Sequence, residues 1–232
     1  QEGGIYYIPE MNVGEKRFSG YYYFDESSGV LAEEAGTTPE GLTIQKDGSI
    51  KELTDPGIKN LKKAVKKFTE NLEGDWSVYV KDLKSGEKFS INDKAMSSAS
   101  LIKAFTMAAS YENMEKIRIA EGMLLKADSA SQTVTDKLFR LMENMVTYSD
   151  NESFNEMVRL QTASNQFNAG ARVINRYLRE QGYKETAVLH TLAPSNTDSE
   201  GIGSSNMTSV EDCGTLLEKI YRRECVSPED SD

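Results

Sequence analysis

Between residues 95 and 111 the only charged side chain is Lys103. Leu101, Ile102, Ala104, Phe105, Met107, Ala108, Ala109 and Tyr111 leave no polar stripe, and a helix apolar on every side is normally buried. The chain therefore has to build a core around this helix. It also has to accommodate a lysine inside it, and a buried cation without partners is costly. Ser100 stands three residues before Lys103, a spacing at which helical side chains lie next to each other. A serine hydroxyl is a weak nucleophile at neutral pH and needs an adjacent base. A desolvated lysine with a lowered pKa can be that base. The plain structural alternative is a helix-capping serine followed by a lysine that reaches water along its own stem.

A second stretch separates these readings. Tyr148-Ser149-Asp150-Asn151 lies between helical patterns at 134–146 and 154–160. Alone, it would be an Asx-turn and helix cap. In order, however, Ser100-Leu101-Ile102-Lys103 and Ser149-Asp150-Asn151 match the S-x-x-K and S-D-N elements of penicillin-reactive serine enzymes. Met145-Val146-Thr147 before the triplet and Asn155 after it agree as well. Over roughly 58–226 the sequence resembles the serine β-lactamase and penicillin-binding D,D-peptidase superfamily, most closely its class A branch.

The resemblance implies an α/β (α+β) fold, with a helical cluster against an antiparallel sheet. It implies that Ser100 attacks a carbonyl and forms an acyl-enzyme, with Lys103 as acylation base or relay. Ser149 would pass a proton to the leaving nitrogen, Asn151 would hold the substrate amide, and Asp150 would brace the loop. The implied substrates are a peptidoglycan stem peptide ending in D-Ala-D-Ala or a β-lactam, with no cofactor and no metal. The implied location is outside a bacterial cell, secreted or at the surface.

Two departures qualify the match. Class A enzymes carry an E-x-x-L-N loop after S-D-N, whose glutamate activates the deacylating water. The corresponding 190–207 stretch has Glu200 followed by Gly-Ile-Gly and no Leu-Asn. An acyl-enzyme is therefore expected to persist. No K-[ST]-G strand follows the last helical pattern, so the cleft wall opposite Ser149 is expected to be open and the domain incomplete at its C-terminal end. Lys84-Ser85-Gly86 fits that pattern, but it precedes the nucleophile and reads as a hairpin turn.

The first 54 residues read differently from the remainder, 55–232. Tyr6, Tyr7, Tyr21, Tyr22, Tyr23 and Phe24 sit among glycine-rich turns with no helical period. Gly20 to Asp25 with Gly29-Val30 resembles the aromatic hairpin repeats of Gram-positive cell-wall-binding modules, with Gly4-Ile5-Tyr6-Tyr7 as a worn copy. An ordinary hairpin whose tyrosines pack against a neighbour fits equally. Beyond Asp55-Pro56-Gly57 the pattern gives a helix at 58–72 and strands at 76–80 and 88–91. Helices follow at 131–146, 151–160 and 167–181 with Gly182 as C-cap, then a short strand at 185–191. A last helix at 209–223 is entered by Thr208-Ser209-Val210-Glu211 in capping-box style.

Other function classes find little support. The net charge of −10 over 232 residues argues against nucleic acid, which requires a basic face. No apolar run reaches membrane-spanning length. The chain opens at Gln1 without a leader, so an export signal is expected to have been removed or never present. On one helix Cys213 and Cys225 would lie about 18 Å apart, too far to bridge unless the helix ends early. His190 is the only histidine and reads as structural. Residues 196–201 echo the start of a calcium loop but lack the closing glutamate, Met207 standing in its place. The rival to a hydrolase is a wall-binding protein with a decayed hydrolase domain.

Overall fold

The structure, a computed structural model, describes residues 3–53, 58–125, 130–193 and 200–231. Asp55-Pro56-Gly57 and most of the 196–201 segment lie outside the described residues. The chain divides into two compact units, 1–92 and 93–232.

In the first unit, β1 (Gly4–Val13) and β2 (Lys16–Phe24) form an antiparallel hairpin. Tyr7 faces Tyr21 across it with ring centroids 5.2 Å apart, and Tyr6 meets Phe24 edge-on at 5.7 Å. Such cross-strand aromatic pairs stabilise an isolated hairpin. The register shifts between Ile8 and Met11, where Pro9 removes a ladder donor. A second small ladder joins β3 (Gly36–Thr37) to β4 (Thr43–Ile44). Tyr23, Leu42, Ile44, Ile50 and Ala64 make the core of this unit. Ala64 belongs to α1 (Ile58–Glu70), whose stripe is only partly used, since Leu61 and Phe68 stay exposed. The unit ends with β5 (Val78–Lys81) and β6 (Lys88–Ile91), again antiparallel. Between them Lys84-Ser85-Gly86 forms the expected turn. Asp82 Oδ1 accepts the Lys84 N–H at 2.9 Å, and Ser85 Oγ–H donates to Asp82 Oδ2 at 2.6 Å.

The second unit is built on helices. After β7 (Met96–Ser97), a single 3-10 turn at Ala99–Leu101 runs into α2 (Ile102–Glu112). Then come α3 (Met114–Leu125), α4 (Ala130–Thr147), α5 (Asn151–Arg159), α6 (Phe167–Glu180), β8 (Met207–Thr208) and α7 (Val210–Tyr221). Ile102, Phe105 and Ala109 of α2 lie at the centre of the core with Met145, Phe154, Phe167 and Ile174, but the helix is not buried all round as its apolar pattern suggested: Leu101 just before it and Ala104 on it are exposed. Phe105 packs edge-on against Tyr183 at 5.1 Å. The α5–α6 contact is backbone on side chain-free backbone: a Cβ on Gly170 would sit 1.7 Å from the Val158 carbonyl oxygen.

Helix ends follow their sequence signals closely. α6 closes with Gly182 at φ +87°, the Tyr183 N–H donating to Leu178 O and the Gly182 N–H to Arg179 O, a Schellman pair of bonds. α7 is capped one residue later than the capping-box reading placed it: Ser209 Oγ accepts the Asp212 N–H at 3.2 Å. α7 ends at Tyr221 and the chain turns back, yet Cys213 and Cys225 are both free thiols.

One expected element is absent among the described residues. Residues 185–191 form no strand, only single bridges of Ala187 to Met207 and His190 to Gly201. The reason is competition for the backbone. Asp212 accepts the Lys184 and Glu185 N–H groups, Asn175 that of Val188, and Asn206 those of Leu189 and His190. Side chains thus satisfy the donors a neighbouring strand would have taken. The β7–β8 pairing was not legible either, because two-residue strands carry no period.

Candidate active site

Ser100 enters the site on the 3-10 turn that opens α2. Ala99 before it is held at φ +43°, a left-handed conformation that strains a residue with a Cβ. Ser149, in the loop between α4 and α5, sits at φ +57°. Two non-glycine residues in this region, both at a cleft, cost about 1–3 kcal/mol each and persist only where the surroundings impose them. The loop that holds Ser149 is fixed from both sides. Asp150 N–H donates to Asn144 O at 3.1 Å, and Asp150 Oδ2 caps α5 by accepting the Ser153 N–H at 2.6 Å.

The four residues singled out in the sequence come together. Lys103 Nζ lies 3.3 Å from Ser100 Oγ, 3.0 Å from Ser149 Oγ and 2.7 Å from Asn151 Oδ1, and it also reaches the Ser149 carbonyl. Ser149 Oγ–H donates to Ser100 Oγ at 2.9 Å. The lysine is only 2% exposed while both serines are open to solvent. The Ser100 hydroxyl is accessible and the amine beside it is desolvated. Burial holds the Lys103 amine below the ordinary lysine range, against an opposing pull from the Asp150 carboxylate. Asp150 itself is held below the usual carboxylate range, chiefly by its Ser153 hydrogen bonds.

A second wall is made by residues 190–193. Buried Asn155 on α5 donates to Leu192 O at 3.1 Å and accepts the Leu192 N–H at 2.9 Å, clamping that peptide in both directions. Asn151 Nδ2 donates to Ala193 O. A small cavity of about 130 Å³ lies between this segment and the Ala99 turn, bounded also by His190 and Asn206. Sequence reasoning did not foresee that Leu192 would meet Asn155 and Ala193 would meet Asn151. Asn155 was the one available signal.

Glu200 is bound elsewhere. Its Oε1 accepts from Arg159 Nη2 at 2.7 Å and from Nε at 3.3 Å. His190 Nδ1 lies 2.9 Å from Thr191 O, a local backbone contact. Among the described residues no group of three or more His, Cys, Asp or Glu could hold a metal ion, and no helix is long and apolar enough to cross a membrane.

No curated protein sequence matches the chain. A profile of the β-lactamase enzyme family matches residues 60–232, which include Ser100, Lys103, Ser149 and Asn151. With the serine, lysine and second serine already in hydrogen-bond reach, that match settles membership: the chain belongs to the β-lactamase enzyme family.

Proposed function

We propose that the protein is a serine hydrolase that forms an acyl-enzyme on a peptide amide of the bacterial wall or on the strained amide of a β-lactam. The observation that carries this reading is the Ser100–Lys103–Ser149 triangle around a buried amine. Neutral Lys103 has two N–H groups and one lone pair. Asn151 Oδ1 and the Ser149 carbonyl can only accept, so they take the N–H groups and leave the lone pair for the serine hydroxyls.

Ser100 Oγ bonds to the substrate carbonyl carbon as its proton passes to Lys103 Nζ. The first N–H groups of a helix have no intrahelical partner, and the Ser100 N–H would donate to the developing oxyanion. Ser149 Oγ–H gives a proton to the departing nitrogen and is resupplied from Lys103. The C–N bond breaks, the amine leaves, and the acyl group stays as an ester on Ser100. Asn151 Nδ2 exchanges its bond to Ala193 O for the substrate carbonyl. Since wall peptides lie outside the membrane, the reading carries a secreted or surface location, with the aromatic hairpin holding wall polymer.

Labelling with a fluorescent penicillin tests it. The intact chain should carry one covalent label, and Ser100→Ala should carry none. An unlabelled intact chain would favour a wall-binding protein without hydrolase activity.

A further inference from the structure

The first unit holds a cavity of about 490 Å³. Lys16, Arg17 and Lys46 line it, opposed by the carboxylates of Glu33 and Asp47. Asp47 is already engaged in its own turn: its Oδ1 accepts the Ser49 N–H at 3.0 Å and the Ser49 Oγ–H at 2.6 Å. Arg17 already has a contact of its own, whereas Lys16 and Lys46 make no ion pair among the described residues. Half-buried Phe18 supplies an aromatic face, with buried Tyr22 packed edge-on behind it at 5.4 Å and Leu31 beside it. The Tyr22 hydroxyl accepts weakly from the Ser19 N–H at 3.4 Å, which leaves its proton to donate.

A cation-rich hollow is notable in a chain of net charge −10. Its volume lies in the range of small-ligand sites. Aromatic faces alone would suit a quaternary ammonium ligand, but three neighbouring cations repel one. The same cations suit an anion, and the rings suit the carbon face of a sugar or polyol. A single hollow without a basic stripe does not suit nucleic acid.

We propose that this cavity binds a short anionic segment of a sugar or polyol polymer. The polymer's carbon face lies on Phe18, with the Tyr22 ring behind it, and its phosphodiester or carboxylate is taken by Lys16 and Lys46 with Arg17 beside them. This deepens the wall-polymer reading of the hairpin and draws nothing from the acylation site.

Calorimetry on the whole chain at low salt tests it with three probes: a glycerol-phosphate oligomer, an oligogalacturonate and an uncharged N-acetylglucosamine oligomer. One or both anionic probes should bind and the uncharged one should bind at least tenfold more weakly. Whichever anion binds tighter tells phosphodiester from carboxylate. Affinity should fall as salt rises, and Arg17→Gln and Lys46→Gln should each weaken it about tenfold. Both variants should keep the wild-type circular-dichroism spectrum and the wild-type urea melt of the whole chain, which shows that the first unit still folds. Ser100→Ala should keep wild-type binding, so failure of the hydrolase reading is visible separately. Equal binding of the uncharged oligomer, no binding of either anion, or wild-type affinity in Lys46→Gln would overturn the proposal.

Discussion

As an ammonium ion, Lys103 has three protons to share among four acceptors; as a neutral amine it has a lone pair that a base requires. Burial favours the amine, and Asp150 is the one charge that opposes it. Acylation should therefore rise with pH and reach half its maximum below the ordinary lysine pKa. Asp150→Asn keeps a good helix cap but removes the opposing charge, so the midpoint should move to lower pH. A midpoint that stays or moves up in stopped-flow acylation would show that another group titrates. The same shift has a stability counterpart. The unfolded chain holds the Lys103 proton more tightly than the folded one, so this group adds stability as pH rises from its folded pKa towards the unfolded value. Lys103→Met should remove that gain while lowering acylation about 10²–10⁴-fold. Denaturant melts across this pH window read the first effect.

At the scale of elements, the segment from Tyr183 to Ala193 is held by side chains reaching in from α5, α6, α7 and the approach to β8. Asn155→Ala would leave both polar groups of half-buried Leu192 without their partner, and should cost about 1–3 kcal/mol in urea unfolding. It should also slow acylation, since Asn151 meets the next residue of the same segment. Glu200, whose carboxylate is committed to Arg159, is not available to activate water. The adduct formed with a β-lactam should survive for many minutes by intact-mass spectrometry. Glu200→Gln should lower stability without lengthening that lifetime; a marked lengthening would make Glu200 the deacylation base after all.

For the molecule as a whole, each unit has its own core, one around Ile50 and one around α2. Phe154→Ala empties a fully buried position of the second core and should cost about 3–5 kcal/mol, a large part of a domain's usual stability. The parts legible in sequence were those with a strong local signal: the period of α4, α5 and α6, the Gly182 stop, and Ser100, Lys103, Ser149 and Asn151 as a set. The illegible parts depend on contacts distant in sequence. The 185–191 stretch reads as a short strand, but Asn175, Asn206 and Asp212 claim its donors. α3 has no sharp amphipathic stripe, and nothing near Leu192 announces that Asn155, 37 residues earlier, would hold its peptide. Gly170 adds a consequence of another kind. It touches no substrate, yet it sets the clearance at which α5 seats on α6. α5 starts at Asn151 and carries Asn155, so a single methyl group here would act as a shim under the whole catalytic wall. Gly170→Ala should thus behave as a misalignment: a protein still folded by circular dichroism, with its serine and lysine intact, that acylates slowly because its parts no longer meet.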